Sequence, residues 1–305
     1  MAFGNQNRRA KLEELNAASQ VVETARGPIE FARRGSAPYV VILHGTPGGH
    51  NQGFIGAPLE EAGFGTITPS RPGYLRTPLE TGRTFEEQAD AVAALLDASE
   101  VDRVAVYAIS GGGPSAIQFA ARHPDRVRAL ILEVAVSKTY KPDVSARTIA
   151  FFTSPIFTWF QGQLLKRFPR LALGQMLKIE STLTGEDRAR VTADIVGTPE
   201  KLEFIHRFME SVPPFDLLRA GFDNDLEQFR AIEGLPLEEI RCPTLVAHGT
   251  HDGDVPFEHG ETSAREIPGA ALHRVEKGWH LLAVSDGADD YQRAQVVFLR
   301  KHLVE

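Results

Sequence analysis

The sequence predicts an α/β architecture, a mostly parallel twisted sheet with helices on both faces. Two observations lead there. Short β-branched apolar runs, such as YVVIL at 39–43 and RVAVYAI at 103–109, alternate with segments of helical periodicity, and the alternation pauses and then resumes late in the chain. With 305 residues, of which 42% are hydrophobic and 24% charged, the chain is long enough to bury a large core. No internal repeat divides it.

In chain order, a short polar helix is expected over 7–18, with Leu12 and Leu15 on one side. Runs at 20–24 and 28–33 flank a Gly27-Pro28 turn and read as a β-hairpin. The strand at 39–43, a Gly-rich loop, a helix and a strand at 65–69 follow. The helix at 85–98 carries Ala89, Val92, Ala93 and Leu96 at helical spacing. A strand at 103–109, a helix at 114–122 and a strand at 129–133 complete the first part. From about 137 to 234 the chain turns helical, broken at Pro155, Pro169, Pro199 and Pro213-Pro214. A strand at 244–248, a helix near 258–266, a strand at 271–275 and a closing helix at 288–303 end it. The expected organisation is one discontinuous core, 1–136 and 235–305, interrupted by a helical insertion at 137–234.

Charge and composition narrow the function. Lys and Arg total 33 against 40 Asp and Glu, a formal charge of −7. That argues against nucleic acid or an anionic membrane as partner, since both are bound through clustered cations, and the run Arg8, Arg9, Lys11 is too short to alter it. A small-molecule substrate is the expected partner, and nothing in the pattern sets an oligomeric state. The lone Cys242 cannot form an internal disulfide and reads as a packed thiol. The first residues lack the apolar stretch of a secretory signal, so the cytoplasm is the expected compartment. The most lipid-like stretch, 149–160, is interrupted by Pro155 and falls far short of the roughly 18 apolar residues a spanning helix needs.

The chemically informative segment is VAVYAISGGGPSAIQFA at 104–120. A buried strand ends at Ile109, Ser110 stands at the corner, three glycines follow, and Pro114 sits where a helix begins. A nucleophile on such a strand-to-helix elbow needs small neighbours two residues to either side, here Ala108 and Gly112. The helix start leaves N–H groups beside Ser110, and that of Gly111 can receive an oxyanion. The same residues also suit a Gly-rich turn with a helix-capping serine. The loop His44-Gly45-Thr46-Pro47-Gly48-Gly49 is no phosphate cradle, because no GK[ST] follows it and no G-x-G-x-x-G opens a helix.

The elbow resembles the G-x-S-x-G of capped serine hydrolases with the α/β-hydrolase fold, reading Ala108-Ile109-Ser110-Gly111-Gly112 with Ala in place of the first glycine. The resemblance implies that fold with an inserted helical cap, and it implies an oxyanion hole formed by the backbone N–H groups of Thr46 and Gly111. It places a base in the loop after the last strand, which selects His280 in Gly278-Trp279-His280-Leu281 over the other histidines. The run Gly249-Thr250-His251-Asp252-Gly253-Asp254-Val255-Pro256 resembles the family's acid loop in a register that selects Asp252. Asp254 is the competitor and Glu133 a remoter one. The order Ser110, Asp252, His280 is that of the fold.

The implied activity is cleavage of a carboxylic ester or lactone by acyl transfer to Ser110 and then to water, with no metal or organic cofactor. A serine rather than an aspartate at the elbow argues against epoxide hydrolysis and dehalogenation. Ten of the eighteen phenylalanines lie in the insertion. Phe151, Phe152, Trp159, Phe208 and Trp279 are the candidate wall of an apolar acyl pocket, against the alternative that such residues form the cap's own core. HGTPGG is also similar to the HGGPGG of proline iminopeptidases, which would need cap carboxylates such as Glu180, Glu203 or Glu210. The fold further hosts ligand receptors and cofactor-free oxygenases, so a non-hydrolytic role stays open.

Overall fold

The computed structural model describes residues 2–141, 154–212 and 214–304. One sheet of eight strands runs through it: β1 (Gln20–Thr24), β2 (Gly27–Arg34), β3 (Tyr39–Leu43), β4 (Gly65–Pro69), β5 (Val104–Ile109), β6 (Val127–Glu133), β7 (Thr244–Gly249) and β8 (Ala271–Val275). Their order across the sheet is β1-β2-β4-β3-β5-β6-β7-β8. The pairs β1–β2 and β2–β4 are antiparallel, and all others are parallel.

Burial on both faces explains why the central parallel strands β3 and β5 are built almost wholly of apolar residues. Val41, Leu43, Val104, Val106 and Ala108 point to one side, while Val40, Ile42, Ala105, Tyr107 and Ile109 point to the other. The first side is covered by α3 (Phe85–Ala98) and α4 (Gly113–Arg122), which follow α1 (Ala2–Ala17) and α2 (Ala57–Glu61) in the chain. Helix α3 starts with a capping box: Thr84 Oγ1 accepts from Glu87 N at 3.2 Å and the Glu87 carboxylate accepts from Thr84 N at 3.2 Å.

The hairpin turn differs from expectation by two residues. Ala25 and Arg26 form it, Gly27 pairs with Thr24 as the first residue of β2, and Thr24 Oγ1 donates to Gly27 O at 2.7 Å and accepts from Arg26 N at 3.0 Å. Gly27 has a φ of 104°, which glycine adopts without steric strain.

Between β6 and β7 lie α5 (Pro155–Arg167), α6 (Pro169–Glu180), α7 (Gly185–Gly197), α8 (Pro199–Ser211) and α9 (Arg219–Ala231). Three of the prolines that mark breaks in the sequence open helices, since a first-turn position needs no donated N–H. Leu165, Leu173, Leu177, Val191, Ile195 and Ile205 form a cluster of their own, closed from the core side by Trp279 and Val284. Helix α10 (Glu258–Glu266) and α11 (Ala288–Leu299) complete the core, and a π-turn at Arg300–Val304 ends α11 four residues sooner than periodicity suggests. Among the described residues no helix is long and apolar enough to cross a membrane.

The connection from β3 to β4 runs one way across the sheet, and that from β4 to β5 runs back past β3. The carboxyl ends of β3 and β5 therefore open into a crevice at this switch point. Trp279 stands at the seam between the sheet and the inserted helices with none of its surface exposed. Trp279→Ala is expected to lower unfolding free energy by about 3–5 kcal/mol. Urea denaturation checks this, and a loss under about 1 kcal/mol would mean that the seam is not closed by this ring.

Candidate active site

Strand β5 ends at Ile109, and Ser110 turns the chain with a φ of 50°, a left-handed conformation uncommon outside glycine. A single 3-10 turn, Ser110–Gly112, leads into α4. The end of β3 presses on this corner from the side. A Cβ on Gly112 would stand 2.4 Å from Leu43 O, and one on Gly111 would stand 2.1 Å from Thr46 Oγ1. Only residues without a side chain fit these two approaches, which set the β3 end against Gly112 and the Thr46 side chain against Gly111.

The loop after β8 supplies His280, whose Nε2 lies 3.1 Å from Ser110 Oγ and whose Nδ1 lies 2.9 Å from Asp252 Oδ2. All three side chains are buried. Asp252 Oδ1 accepts from the backbone N–H groups of Asp254 and Val255 at 2.9 and 3.0 Å, which fixes the carboxylate plane. His248 Nε2 lies 3.4 Å from Asp252 Oδ2 and 2.9 Å from Val255 O. Burial raises the Asp252 pKa, but the charge of His280 and the hydrogen bonds of His248 and His280 outweigh it and hold it near about 2. Burial lowers that of His280, yet the charges of Asp252 and Asp254 carry it up to about 10.

The rival carboxylates occupy other places. Asp254 Oδ2 lies 3.4 Å from His280 Nε2, the opposite nitrogen from the one Asp252 engages. Glu133 accepts from the hydroxyls of Tyr107 and, at 2.6 Å, Tyr291, and burial pushes its pKa up. His44 is a structural member of the β3 loop: its Nε2 accepts from Arg71 N at 3.0 Å, leaving Nδ1–H to donate to Gly45 O at 2.7 Å. Burial holds it neutral.

Arg71 and Asp225, which brace the loop after β3, belong to no motif of the sequence. Arg71, after β4, donates from Nε to His44 O and from Nη2 to Gly45 O, both at 3.1 Å, and from Nη2 to Thr46 Oγ1 at 3.0 Å. Its counter-charge is Asp225 of α9, reached at 3.0 Å from Nη1 and 2.6 Å from Nη2. Thr46 Oγ1 and, at 2.6 Å, Tyr74 Oη also donate to Asp225. The signal for Arg71 is a charge placed directly after a buried strand; nothing local marks Asp225, 154 residues away.

A cavity of about 140 Å³ opens over Ser110, Thr46 and Gly111. Val136 and one face of α9, Phe222, Leu226 and Phe229, form its apolar wall, while Tyr140, Asp254 and Arg230 add polar groups. Of the residues expected to form this wall, Phe151 and Phe152 lie outside the described residues. Trp159 is 64% exposed on α5, Phe208 is half-buried on α8 and Trp279 is sealed in the seam; none of the three is in the lining. The wall comes instead from α9, because Asp225 anchors that helix over the β3 loop. Among the carboxylates of the inserted helices, Glu203 and Glu210 are exposed. Glu180 ends α6 against the acid loop, where Gly253 N donates to Glu180 O at 3.1 Å and Thr182 N to His251 O at 2.9 Å. Burial and the negative charge of Asp254 raise the Glu180 pKa to about 7.

The profile of the alpha/beta hydrolase fold family matches residues 38–286. An uncharacterized hydrolase, YcgS, of Bacillus subtilis is 31% identical over 263 residues, covering 84% of this chain and 89% of its own. The 2-hydroxy-6-oxo-6-phenylhexa-2,4-dienoate hydrolase of Comamonas testosteroni is 26% identical over 315 residues, covering 98% of each chain. The solved structure of the alpha/beta hydrolase fold protein from Nakamurella multipartita superposes with a TM-score of 0.88 at 36% identity, over 92% of this chain and 99% of that one.

Breaking the Arg71–Asp225 pair leaves a buried charge without a partner. Asp225→Asn is expected to lower stability by about 3–5 kcal/mol in urea denaturation. A loss below about 1 kcal/mol would show that the clamp is dispensable.

Proposed function

The chain belongs to the α/β-hydrolase fold family, and from that premise we propose a serine hydrolase that cleaves a carboxylic ester or lactone by acyl transfer to Ser110 and then to water. The observation that carries this reading is the connected line Ser110 Oγ, His280, Asp252, with contacts of 3.1 and 2.9 Å, at the floor of an apolar-walled cavity. A serine hydroxyl is a weak nucleophile until a base takes its proton. With Nδ1–H donated to Asp252, neutral His280 presents a lone pair at Nε2 to do so, and Asp252 stabilises the imidazolium that results.

As Ser110 Oγ bonds to the carbonyl carbon, negative charge grows on the carbonyl oxygen. The backbone N–H groups of Thr46 and Gly111 are the proposed donors to it, worth about 2.7–4 kcal/mol for a single donor of this kind. Arg71 holds three carbonyl and hydroxyl oxygens of the Thr46 loop, which supports a preformed position for that donor. The acyl chain lies against Phe222, Leu226 and Phe229, a wall that favours an apolar acyl group. The proton on His280 passes to the leaving oxygen; water then enters by the same route and frees the acid. The Bacillus relative bears a hydrolase name, in keeping with this chemistry.

Two outcomes are expected. Ser110→Ala lowers kcat/KM on a short chromogenic ester by about 10⁴–10⁶ and abolishes fluorophosphonate labelling, with the fold retained by circular dichroism. Undiminished turnover in this variant would refute the reading. The second concerns pH. The base must be neutral and its pKa is raised to about 10, so kcat/KM climbs with pH from 7 toward 10. A limb centred near ~6.5 and flat above pH 8 would contradict the electrostatics of the site.

A further inference from the structure

Asp254 stands where no nucleophile, base or oxyanion donor is required. Its Oδ2 is 3.4 Å from His280 Nε2, and it lines the cavity shared with Ser110. The carboxylate is held there. Its backbone N–H donates to Asp252 Oδ1 at 2.9 Å, and the Tyr140 hydroxyl lies 2.6 Å from Asp254 Oδ1 and 3.0 Å from its carbonyl oxygen. Tyr140 therefore occupies one oxygen and leaves Oδ2 facing the base. Among the described residues, Oδ2 has no protein partner besides the imidazole.

Resting on the acyl-transfer reading above, the position of Oδ2 has a consequence for the leaving group. During acylation the Ser110 Oγ–carbon bond forms and the carbon–oxygen bond of the ester breaks. The Ser110 proton travels through His280 Nε2 to the departing oxygen, which leaves as an alcohol. That oxygen must come within hydrogen-bonding distance of Nε2. Whatever it carries then passes beside Asp254 Oδ2. We propose that Asp254 is the specificity determinant for the released alcohol, selecting leaving groups that carry a cation or a hydrogen-bond donor and rejecting anionic ones.

Glu180, at the end of α6, interacts electrostatically with Asp254 and His280; burial and Asp254 raise its pKa to about 7, so it adds negative charge on this side above that pH. Arg230, the cation in the lining, is exposed on α9, one turn beyond Leu226 of the acyl wall, and forms no ion pair with Asp254 or any other described residue. A carboxylate on the alcohol would meet the like charge of Asp254. A quaternary ammonium would meet an opposite charge, and a hydroxyl an acceptor with lone pairs to spare.

The test holds the acyl group constant. Butyrate esters of choline, ethylene glycol, ethanol and glycolate are compared at low ionic strength, with the spontaneous rate subtracted. In the wild type, kcat/KM is expected to fall in that order of cation, neutral donor, plain alkyl and anion, with choline ester at least about tenfold above glycolate ester. In Asp254→Asn, which keeps shape and removes charge, the choline-to-glycolate ratio is expected to drop about tenfold or more. Taking the ratio within each protein cancels any change in His280 basicity. Equal rates for the two esters in the wild type, or a ratio unchanged in Asp254→Asn, would overturn the proposal. Product inhibition gives a reading without mutation: choline should inhibit at lower concentration than glycolate, and the reverse order would also overturn it. Turnover of all four esters that survives Ser110→Ala would instead remove the acyl-transfer reading itself, so the two failures are distinct.

Discussion

The ion pair between Arg71 and Asp225 is the contact on which the geometry of the site depends. Both side chains are buried, at 1% and 0% exposure, so each charge is viable only with its partner in place. The guanidinium distributes its remaining donors to His44 O, Gly45 O and Thr46 Oγ1, and a Gln88 oxygen takes another at 3.3 Å. One residue thereby sets the path of the loop after β3. Asp225 belongs to α9, so the same interaction docks the helix that walls the cavity. Loop and wall are positioned together.

A second set of contacts ties the inserted helices to the acid loop. Ser181 pairs with Asp252 in an isolated antiparallel bridge, flanked by the hydrogen bonds of Gly253 to Glu180 and of Thr182 to His251. The carboxylate beside His280 Nδ1 is thus braced by backbone from both the core and the insertion. Displacing α6 would move Asp252, and displacing α9 would strip the counter-charge from Arg71. Insertion and core act as one unit at the site because each supplies a partner that the other cannot leave unpaired.

The fold was legible wherever local chemistry and tertiary structure agree. The strands buried on two faces read as apolar runs, and the elbow read as a corner because Gly111 and Gly112 are the residues that its close approaches require. The hairpin turn was misplaced because Gly27 looks like a turn residue while serving as the first residue of β2. Ser110, His280 and Asp252 were chosen through the family resemblance, and the structure joins them in a line through His280. The cavity wall could not be chosen so: aromatic content marks where apolar surface is, not which way it faces, and Trp159 and Trp279 ended on the outside and in the seam. Their α9 counterparts Phe222, Leu226 and Phe229 do share a face by spacing, but only Asp225 reveals that this face is turned toward Ser110. Motif register likewise separated Asp252 from Asp254 without foretelling that they would face different nitrogens of one ring.

The proposed chemistry puts an acyl group on Ser110 during turnover. Rapid acid quench within the first turnover of a slow ester, followed by peptide mass spectrometry, observes this directly. The account predicts a stoichiometric mass increase equal to the acyl group on the peptide bearing Ser110, decaying as the acid is released. Acid product formed with no adduct on that peptide, or with an adduct elsewhere, would contradict it.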